Sequence, residues 1–355
     1  MSFRRDNRAY EAWLATQCDV VKKDIRHKHE RMKESPFIFL RATYFRWARK
    51  IGTWCPELMD APQVLSVGDL HLENFGTWRD ADGRLVWGVN DFDEAAVMPY
   101  VLDLVRLVTS IQLAPRRHRQ VTDQAAAGAV LRGYRDGLKD PQPALLFEGE
   151  TWLRAYAEPG EGKPEEFWEE VHNYKKARPP RRIEQALIES LPKGVNRKDI
   201  RLCKRRKGGG SLGRPRYVAV GYWRGGHVLR EAKALVPSAW TWANGNENSQ
   251  EPKFLALANG RYRAPDPSLD VRHKFVLRRI AADAEKIDLG KNAGAKVHLR
   301  MLQAMGFDLA SIHAAGSPGV RALRADLKKR PRGWLNAAAK TAVAAVKADY
   351  EEWRG

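Results

Sequence analysis

The sequence has few residues of the kinds that build disulfide frameworks, zinc sites or membrane spans. Its 355 residues include only three cysteines, Cys18, Cys55 and Cys203, which are far apart and form no CxxC pair. An odd number of separated cysteines predicts neither a disulfide framework nor a structural zinc site. No segment approaches the apolar length that crosses a bilayer, and the N-terminal stretch lacks the apolar run of a signal peptide. We therefore expect a cytoplasmic protein with no membrane partner.

Acidic residues are also scarce relative to basic ones. Lys and Arg number 62 against 43 Asp and Glu, which gives a net charge of +19. A surplus of this size favours anionic partners such as nucleotides, phosphorylated metabolites or nucleic acid. The hydrophobic content of 43% is that of a globular protein, and the chain is long enough for one elaborated domain or two lobes.

One stretch, residues 66–106, concentrates acidic and amide side chains between short apolar runs. Val64 to Val67 predicts a buried strand that ends near Asp69, and Leu85 to Val89 predicts a second strand that runs into Asn-Asp-Phe-Asp. The Asp-Ala-Asp-Gly segment between them is typical of a hairpin turn. The two acidic groups are therefore expected at neighbouring strand ends.

Carboxylates gathered in this way repel one another unless a cation lies between them. Magnesium prefers one or two carboxylates together with waters and substrate phosphates, and Asn74 can add a neutral oxygen. The stretch therefore predicts a divalent-metal site with a catalytic base nearby. The alternative is a polar surface loop in which Asp69 and Asp91 serve as caps or turn residues.

Helical periodicity surrounds this stretch. Residues 7–33 predict one long charged helix, in whose basic end His27 and His29 are expected to be solvated. Val101 to Leu113 and Val297 to Ala315 predict further helices, and His313 on the latter is expected to be a hydrogen-bonded packing residue.

Beyond about residue 200 the pattern changes to a glycine-rich loop followed by two strands. Gly208 to Gly213 precedes a predicted strand at Tyr217–Trp223, and an Arg-Gly-Gly turn leads to a return strand at His227–Ala234. Glycines let backbone N–H groups approach phosphate closely, and a cation on the neighbouring strand can bind the same phosphate. The alternative is that the glycines form only a turn.

Three segments in this order, GDLHLENFG, VNDFDEA and PYVLDLVRL, resemble the catalytic segment of aminoglycoside and choline phosphotransferases, which are relatives of protein kinases. More closely, the chain resembles the bacterial domain-of-unknown-function 2252 (DUF2252) family over nearly its full length. The segments that carry this resemblance are SPFIFLRATY, GDLHLENFG, NDFDE, GGGSLGRPRY, REAKALVPS and GFDLASIHAAG.

The phosphotransferase resemblance implies a role for each matching residue. Asp69 matches the catalytic Asp, and Asp103 matches an Asp that anchors the lobe. Asn74 and Asp91 match the metal-binding Asn and the principal metal-binding Asp, with Asp93 as a second acidic group. The resemblance also implies that ATP and magnesium are the cofactors and that the nucleotide loop consists of Gly208, Gly209, Gly210, Ser211 and Gly213.

The return strand departs from the family pattern. The related family usually has Lys-Glu-Ala where this chain has Arg230-Glu231-Ala232, followed by Lys233. Strand alternation puts Arg230 and Lys233 on opposite faces, so only one of them can face the cleft. Arginine can bind phosphate bidentately, whereas lysine acts as a point charge. We favour Lys233 and keep both as candidate phosphate-binding residues.

The order of the segments is also reversed relative to kinases, in which the glycine loop precedes the catalytic loop. LASIHAAG, which resembles the helix before the catalytic loop, lies near the C-terminus. The resemblance therefore implies an α+β, protein kinase-like two-lobed fold that is circularly permuted. We expect a helical lobe with the catalytic and metal loop over residues 1–200, a small β-rich nucleotide-binding lobe over 201–290, and C-terminal helices over 291–355 that return to the helical lobe.

These features predict a magnesium- and ATP-dependent phosphotransferase that acts on a hydroxyl of a small-molecule acceptor. Nucleotidyl transfer would use nearly the same groups. The alternative is a non-catalytic, basic nucleic-acid-binding or regulatory protein with a degenerate kinase-like fold, which the charge of +19 and the altered Lys-Glu-Ala segment favour. A lesser alternative is a metallophosphoesterase, because Gly68 to His71 resembles the opening motif of that class, although the further histidine ligands lack suitable settings.

Overall fold

The computed structural model describes residues 2–115, 121–157, 163–245, 252–284 and 295–355. Its helices are α1 (Phe3–Gln17), α2 (Lys22–Arg31), α3 (Pro36–Ala42), α4 (Tyr44–Trp54), α5 (Val101–Leu113), α6 (Asp123–Gly137), α7 (Lys163–His172), α8 (Arg181–Ser190), α9 (Ala239–Asn244), α10 (Phe254–Ala258), α11 (Ala295–Ala314), α12 (Val320–Lys329) and α13 (Trp334–Arg354). Its strands are β1 (Gln63–Ser66), β2 (Phe75–Arg79), β3 (Leu85–Val89), β4 (Ala96–Pro99), β5 (Ala144–Leu145), β6 (Arg201–Lys204), β7 (Arg216–Trp223), β8 (Gly226–Ala234), β9 (Asp270–Arg272) and β10 (Phe275–Ile280).

The N-terminal region forms two helices, so the prediction of one helix over residues 7–33 is wrong. Helix α1 ends at Gln17, and Cys18 is already extended at φ −156°. Val21 N then donates a hydrogen bond to Gly213 O at 2.8 Å. This bond ties the linker between α1 and α2 to the glycine-rich loop. A tertiary contact therefore overrides the helical periodicity of the sequence.

The strands form three small antiparallel sheets. β1 pairs with β4, β2–β3–β5 form a second sheet, and the third has the order β6-β7-β8-β10-β9. The predicted hairpin turn joins β2 to β3, not β1 to β3, so the predicted pairing is wrong. The Asp80 carboxylate accepts hydrogen bonds from Asp82 N at 3.1 Å and Arg84 N at 2.9 Å. The turn directly follows Arg79, the last residue of β2, and leads into Leu85, the first residue of β3. Strand β2, and not β1, therefore pairs with β3.

Helix α5 forms the centre of the core, and its predicted range is confirmed. Every residue from Val101 to Leu113 is buried. α6 and α11 pack against each other beside it, with Gly133 of α6 facing the Gln303 backbone and Gly306 of α11 facing the Val130 backbone. A Cβ at either glycine would overlap a carbonyl oxygen, so the two helices approach as closely as backbones allow.

A buried ion-pair group joins helices from the two ends of the chain. The Arg46 guanidinium of α4 donates to both Asp349 carboxylate oxygens of α13, at 2.8 and 2.7 Å, and also contacts Asp6 of α1. Asp6 is fully buried and its second oxygen accepts from Arg49 Nη1 at 2.9 Å. Because buried carboxylates need paired donors, this group fixes how α1, α4 and α13 meet.

The chain is therefore an α+β protein, as predicted, with helices and several small sheets. The five-stranded sheet is built from residues 201–280 and packs α8 against one face. Within the described ranges, no helix combines the length and the apolar character needed to cross a membrane.

Candidate active site

Asp69 lies just beyond the end of β1, in a turn whose backbone is tied to helix α5. The Asp103 carboxylate accepts hydrogen bonds from Val67 N at 2.7 Å and Gly68 N at 2.9 Å. Gly68 adopts φ +84°, and a Cβ there would overlap the carbonyl oxygen of Glu94. Since glycine alone adopts this conformation at little cost, the Gly68 turn fixes where the Asp69 side chain projects.

Asp103 is in turn held by a histidine from α11. His313 Nε2 lies 3.1 Å from Asp103 Oδ2, and His313 Nδ1 lies 2.9 Å from the Tyr134 hydroxyl. All three side chains are buried. His313 is therefore a hydrogen-bonded packing residue, as predicted, and it supports the turn that carries Asp69.

The Asp69 carboxylate is paired with a buried arginine. Arg106 Nε donates to Asp69 Oδ1 at 2.9 Å, and Arg106 Nη2 contacts the same oxygen. The guanidinium is fully buried beside the rings of Tyr44 and Trp47, at 4.9 and 5.1 Å from their centroids. Burial, together with the charges of Glu94 and Asp91, outweighs Arg106 and raises the pKa of Asp69 to about 6. A carboxyl with that pKa exchanges its proton near neutral pH.

Asn74 and Asp91 are brought together by the register of β2 and β3. Phe75 pairs with Val89, and Asn90 N donates to Asn74 O at 3.1 Å, so the segments that flank these strands lie side by side. Asn74 Nδ2 also donates to Asp69 O at 2.7 Å. The predicted catalytic and metal-binding residues therefore share one corner, although β1 and β3 are not paired.

Lys233 of β8 contacts the carboxylates of both Asp91 and Asp93. Its Nζ is 2.7 Å from Asp93 Oδ2 and 3.3 Å from Asp91 Oδ1, and the side chain is only 2% exposed. Burial opposes the ionisation of Asp91, but Lys233 and Arg278 outweigh it and hold the pKa of Asp91 well below its usual range. Burial and the neighbouring Asp91 charge raise the pKa of Asp93.

A second buried cation, Arg214, joins the acidic segment to the chain beyond the glycine-rich loop. Arg214 Nη2 lies 2.6 Å from Glu94 Oε1, and its Nη1 lies 3.4 Å from Asp93 Oδ2. The other Glu94 oxygen accepts from Ala239 N at 2.6 Å. Glu94 therefore connects the acidic segment to both ends of the β7–β8 hairpin.

The glycine-rich loop lies directly over Asp69. A Cβ on Gly210 would be 2.8 Å from Arg41 O and 3.3 Å from Asp69 Oδ2, so only glycine permits this approach without displacement. Ser211 Oγ accepts a hydrogen bond from Arg216 Nη2 at 3.0 Å, which ties the loop to β7. Segments that are far apart in sequence thus face each other across a narrow gap.

Arg230 and Lys233 project from opposite faces of β8, as strand alternation predicts. Arg230 Nε donates to Ser190 O at 2.8 Å, so its guanidinium points toward α8. Lys233 points toward Asp91 and Asp93 instead. Of the two predicted phosphate-binding residues, the structure places Lys233 at the acidic corner and Arg230 on the far face.

The acidic residues after β1 and β3 and the glycine-rich loop surround a cavity of about 470 Å³. Its walls carry Asp69, Asn74, Asp91 and Asp93 on one side and Gly208 to Ser211 on the other. Eight lysines and arginines line it against five aspartates and glutamates, so its walls carry a positive surplus. A volume of this size can hold a small charged ligand.

Several lining cations are absent from the sequence-based prediction. They come from α2, from the end of α3 and from the loop before β7: Lys28, Arg31, Arg41, Arg206 and Arg214. Arg106 of α5, which pairs with Asp69, is absent from that prediction as well. His29 was expected to be solvated, but it pairs with Glu11 at 2.6 Å. Its neighbour Lys28 is buried. Burial lowers the pKa of Lys28 to about 8. Arg106 alone had a local signal, since it follows Asp103 by one helical turn.

The predicted metal ligands amount to two carboxylates and one amide. Among the residues that the structure describes, no cluster of three or more His, Cys, Asp or Glu is arranged to hold a metal ion. Asp93 Oδ1 is nevertheless buried with no hydrogen-bond partner in the described part of the chain, and the Asp91 side chain is 41% exposed. An unpaired carboxylate oxygen beside an accessible carboxylate fits the oxygen ligands that magnesium prefers.

Comparison with known proteins bears on the first half of the chain. No curated protein and no solved structure matches the chain. Residues 20–148 match the family model described as "Uncharacterized protein conserved in bacteria (DUF2252)". This range contains SPFIFLRATY, GDLHLENFG and NDFDE, whereas the three later segments of the resemblance lie outside it. The match therefore supports a relationship to the DUF2252 family through the region that carries the acidic half of the site.

Proposed function

We propose that the chain is a magnesium- and ATP-dependent phosphotransferase that acts on a hydroxyl of a small-molecule acceptor. The observation that carries this proposal is the close approach of Gly210 to the Asp69 carboxylate, inside a cavity that also contains Asn74 and Asp91. Phosphoryl transfer needs mainly positioning and charge neutralisation, and this corner offers both. Nucleotidyl transfer to a hydroxyl would need the same groups.

In this proposal Asp69 orients the acceptor hydroxyl and takes its proton. A pKa of about 6 leaves Asp69 ionised at neutral pH yet basic enough to accept a proton, and Arg106 keeps its carboxylate in place. The backbone N–H groups of Gly208 to Ser211 hold the nucleotide phosphates. Lys233 supplies the cation of the return strand.

Magnesium would be held by Asp91, Asp93 and Asn74 and would neutralise charge on the nucleotide phosphates. The unpaired Asp93 oxygen and the accessible Asp91 carboxylate fit this role. Lys233 already partly neutralises both carboxylates, so we expect the metal to bind together with the nucleotide rather than alone.

A circularly permuted, kinase-like fold is part of the same proposal. The segment that resembles the helix before the catalytic loop lies in α11, and there Asp308 accepts a hydrogen bond from Val89 N at 2.8 Å while His313 contacts Asp103. Helix α11 therefore lies against the acidic segment although it follows it in sequence. We retain lobes at residues 1–200, 201–290 and 291–355; the boundary at 290 lies outside the described residues.

The second candidate function is a non-catalytic protein that binds nucleic acid or another anion. It is favoured by the ion pairs of Lys233 and Arg214, which leave the acidic group largely neutralised without a metal. It predicts anion binding that does not depend on magnesium. A metallophosphoesterase gains no support, because that class needs further histidine ligands and the described residues contain no group of three or more His, Cys, Asp or Glu that could hold a metal ion.

A thermal-shift titration with ATP and magnesium tests the proposal. A ligand at about a hundred times its Kd stabilises a protein by about 2.7 kcal/mol, which corresponds to a shift of several degrees in Tm. We expect this shift only when both ATP and magnesium are present. The Asp91→Ala variant should lose it.

Asp283→Ala is the matched control, because Asp283 is an exposed aspartate that pairs with Arg79 outside the cavity. It should keep the full nucleotide-dependent shift. No shift in the native protein at millimolar ATP and magnesium would reject the phosphotransferase, and an equal shift without magnesium would favour the second candidate.

A further inference from the structure

A second cavity opens beside the first, against helix α2. It has a volume of about 480 Å³ and shares His27 and Arg206 with the cavity that contains Asp69. The rest of its lining consists of Lys23, Arg26, His29 and Glu30. A molecule bound here can therefore extend past His27 and Arg206 toward Asp69.

The charge of both cavities selects the sign of the ligand. The second cavity is lined by three cations, Lys23 and Arg26 of α2 and Arg206, and by one carboxylate, Glu30. The first cavity also has a positive surplus, in spite of its acidic corner. Walls of one sign concentrate ligands of the opposite sign. A cationic acceptor such as choline or an aminoglycoside would enter against this field, whereas an anionic acceptor would be attracted.

Two cations that line the first cavity lack a full set of acceptors among the residues that the structure describes. Arg41 is 12% exposed on its side chain and pairs with Glu73 at 2.9 Å, but its buried Nε has no hydrogen-bond partner within the described ranges. Lys28 is 3% exposed, and its Nζ donates a long hydrogen bond of 3.5 Å to Gly210 O and lies 6.0 Å from the Phe45 ring centroid. Buried cationic groups with unused donors are costly, and an anion bound beside them offsets that cost.

We propose that the acceptor is a small phosphorylated alcohol. Its phosphate lies in the second cavity against Arg26, His27 and Arg206, and its free hydroxyl enters the first cavity beside Asp69. This inference rests on the proposed phosphotransferase function.

The transfer step balances with ATP as the second substrate. The acceptor oxygen forms a bond to the γ-phosphorus of ATP, and the bond from that phosphorus to the β,γ-bridging oxygen breaks. The electron pair of the broken bond leaves with ADP, and the hydroxyl proton passes to Asp69.

The position of the cations favours a small acceptor over nucleic acid. Arg26, His27 and Arg206 are exposed, whereas Lys28, which lines the first cavity, is buried and Arg41 beside it is only 12% exposed. A short ligand can extend from the exposed cations to these inner ones, but a nucleic-acid backbone on the surface cannot. Nucleic-acid binding would instead use exposed cations spread along a face, with strong salt dependence.

Calorimetric titration of the full-length protein with inorganic phosphate, glycerol 3-phosphate, glycerol and choline tests the inference. Phosphate and glycerol 3-phosphate should bind, and glycerol and choline should not. Arg206→Gln should weaken phosphate binding by about tenfold or more, the loss expected for one charged hydrogen bond. Arg272→Gln is the matched control, because Arg272 is equally exposed at 43% and also ion-paired, but lies outside both cavities.

Each outcome bears on the inference separately from the proposed function. Absent phosphate binding, or equal losses in the Arg206 and Arg272 variants, would overturn it. Tighter, salt-sensitive binding of a single-stranded oligonucleotide that displaces phosphate would replace the small acceptor by nucleic acid. Phosphate binding with no magnesium-dependent ATP shift would reject the phosphotransferase, and with it the acceptor role, while leaving the phosphate subsite in place.

Discussion

Replacing Glu231 by glutamine should strongly destabilise the protein. The Glu231 carboxylate is fully buried, and it lies 2.7 Å from Arg205, 2.8 Å from Arg278 and 3.2 Å from Arg216. Burial opposes its ionisation, but the three guanidinium groups hold the pKa of Glu231 well below its usual range. Glutamine keeps the shape and removes the charge, which leaves three arginines without their shared counter-ion. Breaking a buried pair in this way costs about 3–5 kcal/mol, a large part of a typical unfolding free energy of about 5–15 kcal/mol.

Urea unfolding at neutral pH, followed by tryptophan fluorescence, measures this loss. Glu189→Gln is the matched control, because Glu189 is 44% exposed and pairs with Arg272 at 3.1 Å on the surface. An exposed pair of this kind contributes about 0–1 kcal/mol. If Glu231→Gln is no less stable than Glu189→Gln, the three-arginine arrangement does not stabilise the sheet as we argue.

The pH dependence of the Glu231 effect has a defined sign. The pKa of Glu231 is lower in the folded than in the unfolded state, so its stabilisation is complete above the unfolded glutamate pKa of about 4.3. It is lost as the pH falls through the lower, folded pKa. The difference in unfolding free energy between the native protein and Glu231→Gln should therefore stay constant around neutral pH and shrink only below about pH 4.3.

Three further substitutions test other parts of the molecule. Asp69→Asn should lower magnesium-dependent ATP turnover by about 10²–10⁴-fold, and the native rate should rise through the Asp69 pKa of about 6 and then level off, because the carboxylate is the active form. Gly210→Ala, whose Cβ would meet a backbone oxygen at 2.8 Å, should lose nucleotide-dependent stabilisation in a thermal-shift assay, whereas Gly209→Ala, with nothing nearer than 3.9 Å, should keep it. Arg46→Met should cost about 3–5 kcal/mol in urea unfolding, since it strips a buried guanidinium from carboxylates of α1 and α13. A pH-independent rate, equal behaviour of the two alanine variants, or an Arg46→Met protein of native stability would contradict the respective reasoning.

Local sequence signals predicted the elements whose structure is decided locally. The apolar run of α5 and the glycine turn between β7 and β8 formed as predicted, because burial pattern and turn chemistry act within a few residues. The break between α1 and α2 was missed, since it depends on the hydrogen bond from Val21 to Gly213. Strand β2 was missed as well, because its Phe75-Gly76-Thr77 segment has no clear alternation of its own and is defined by pairing with β3.

The candidate site divides in the same way. Asp69, Asn74 and Asp91 lie in two short motifs, so their spacing was readable, and the structure brings them to one corner. Arg214 and Lys28, which balance that corner, come from distant segments and reach it through long side chains. Arg214 lies within the GGGSLGRPRY segment, yet neither that segment nor any periodicity indicates that Arg214 pairs with Glu94 or where Lys28 lies, because these roles exist only once the chain is folded.

Helix α5 divides the site into a fixed side and an adjustable one. Asp103 and Arg106, one turn apart on this fully buried helix, hold the backbone before Asp69 and its carboxylate respectively. The glycine-rich loop over Asp69 is tied at its end by the 2.8 Å hydrogen bond from Val21 N to Gly213 O, whereas Gly210 beside Asp69 has only a 3.5 Å contact from Lys28 among the side-chain hydrogen bonds of the described residues. Entry and exit of a ligand should therefore displace the glycine loop while the acid stays in place. Helix α5 therefore fixes one wall of the cavity. How far the glycine-rich loop moves away from that wall determines which ligands can enter.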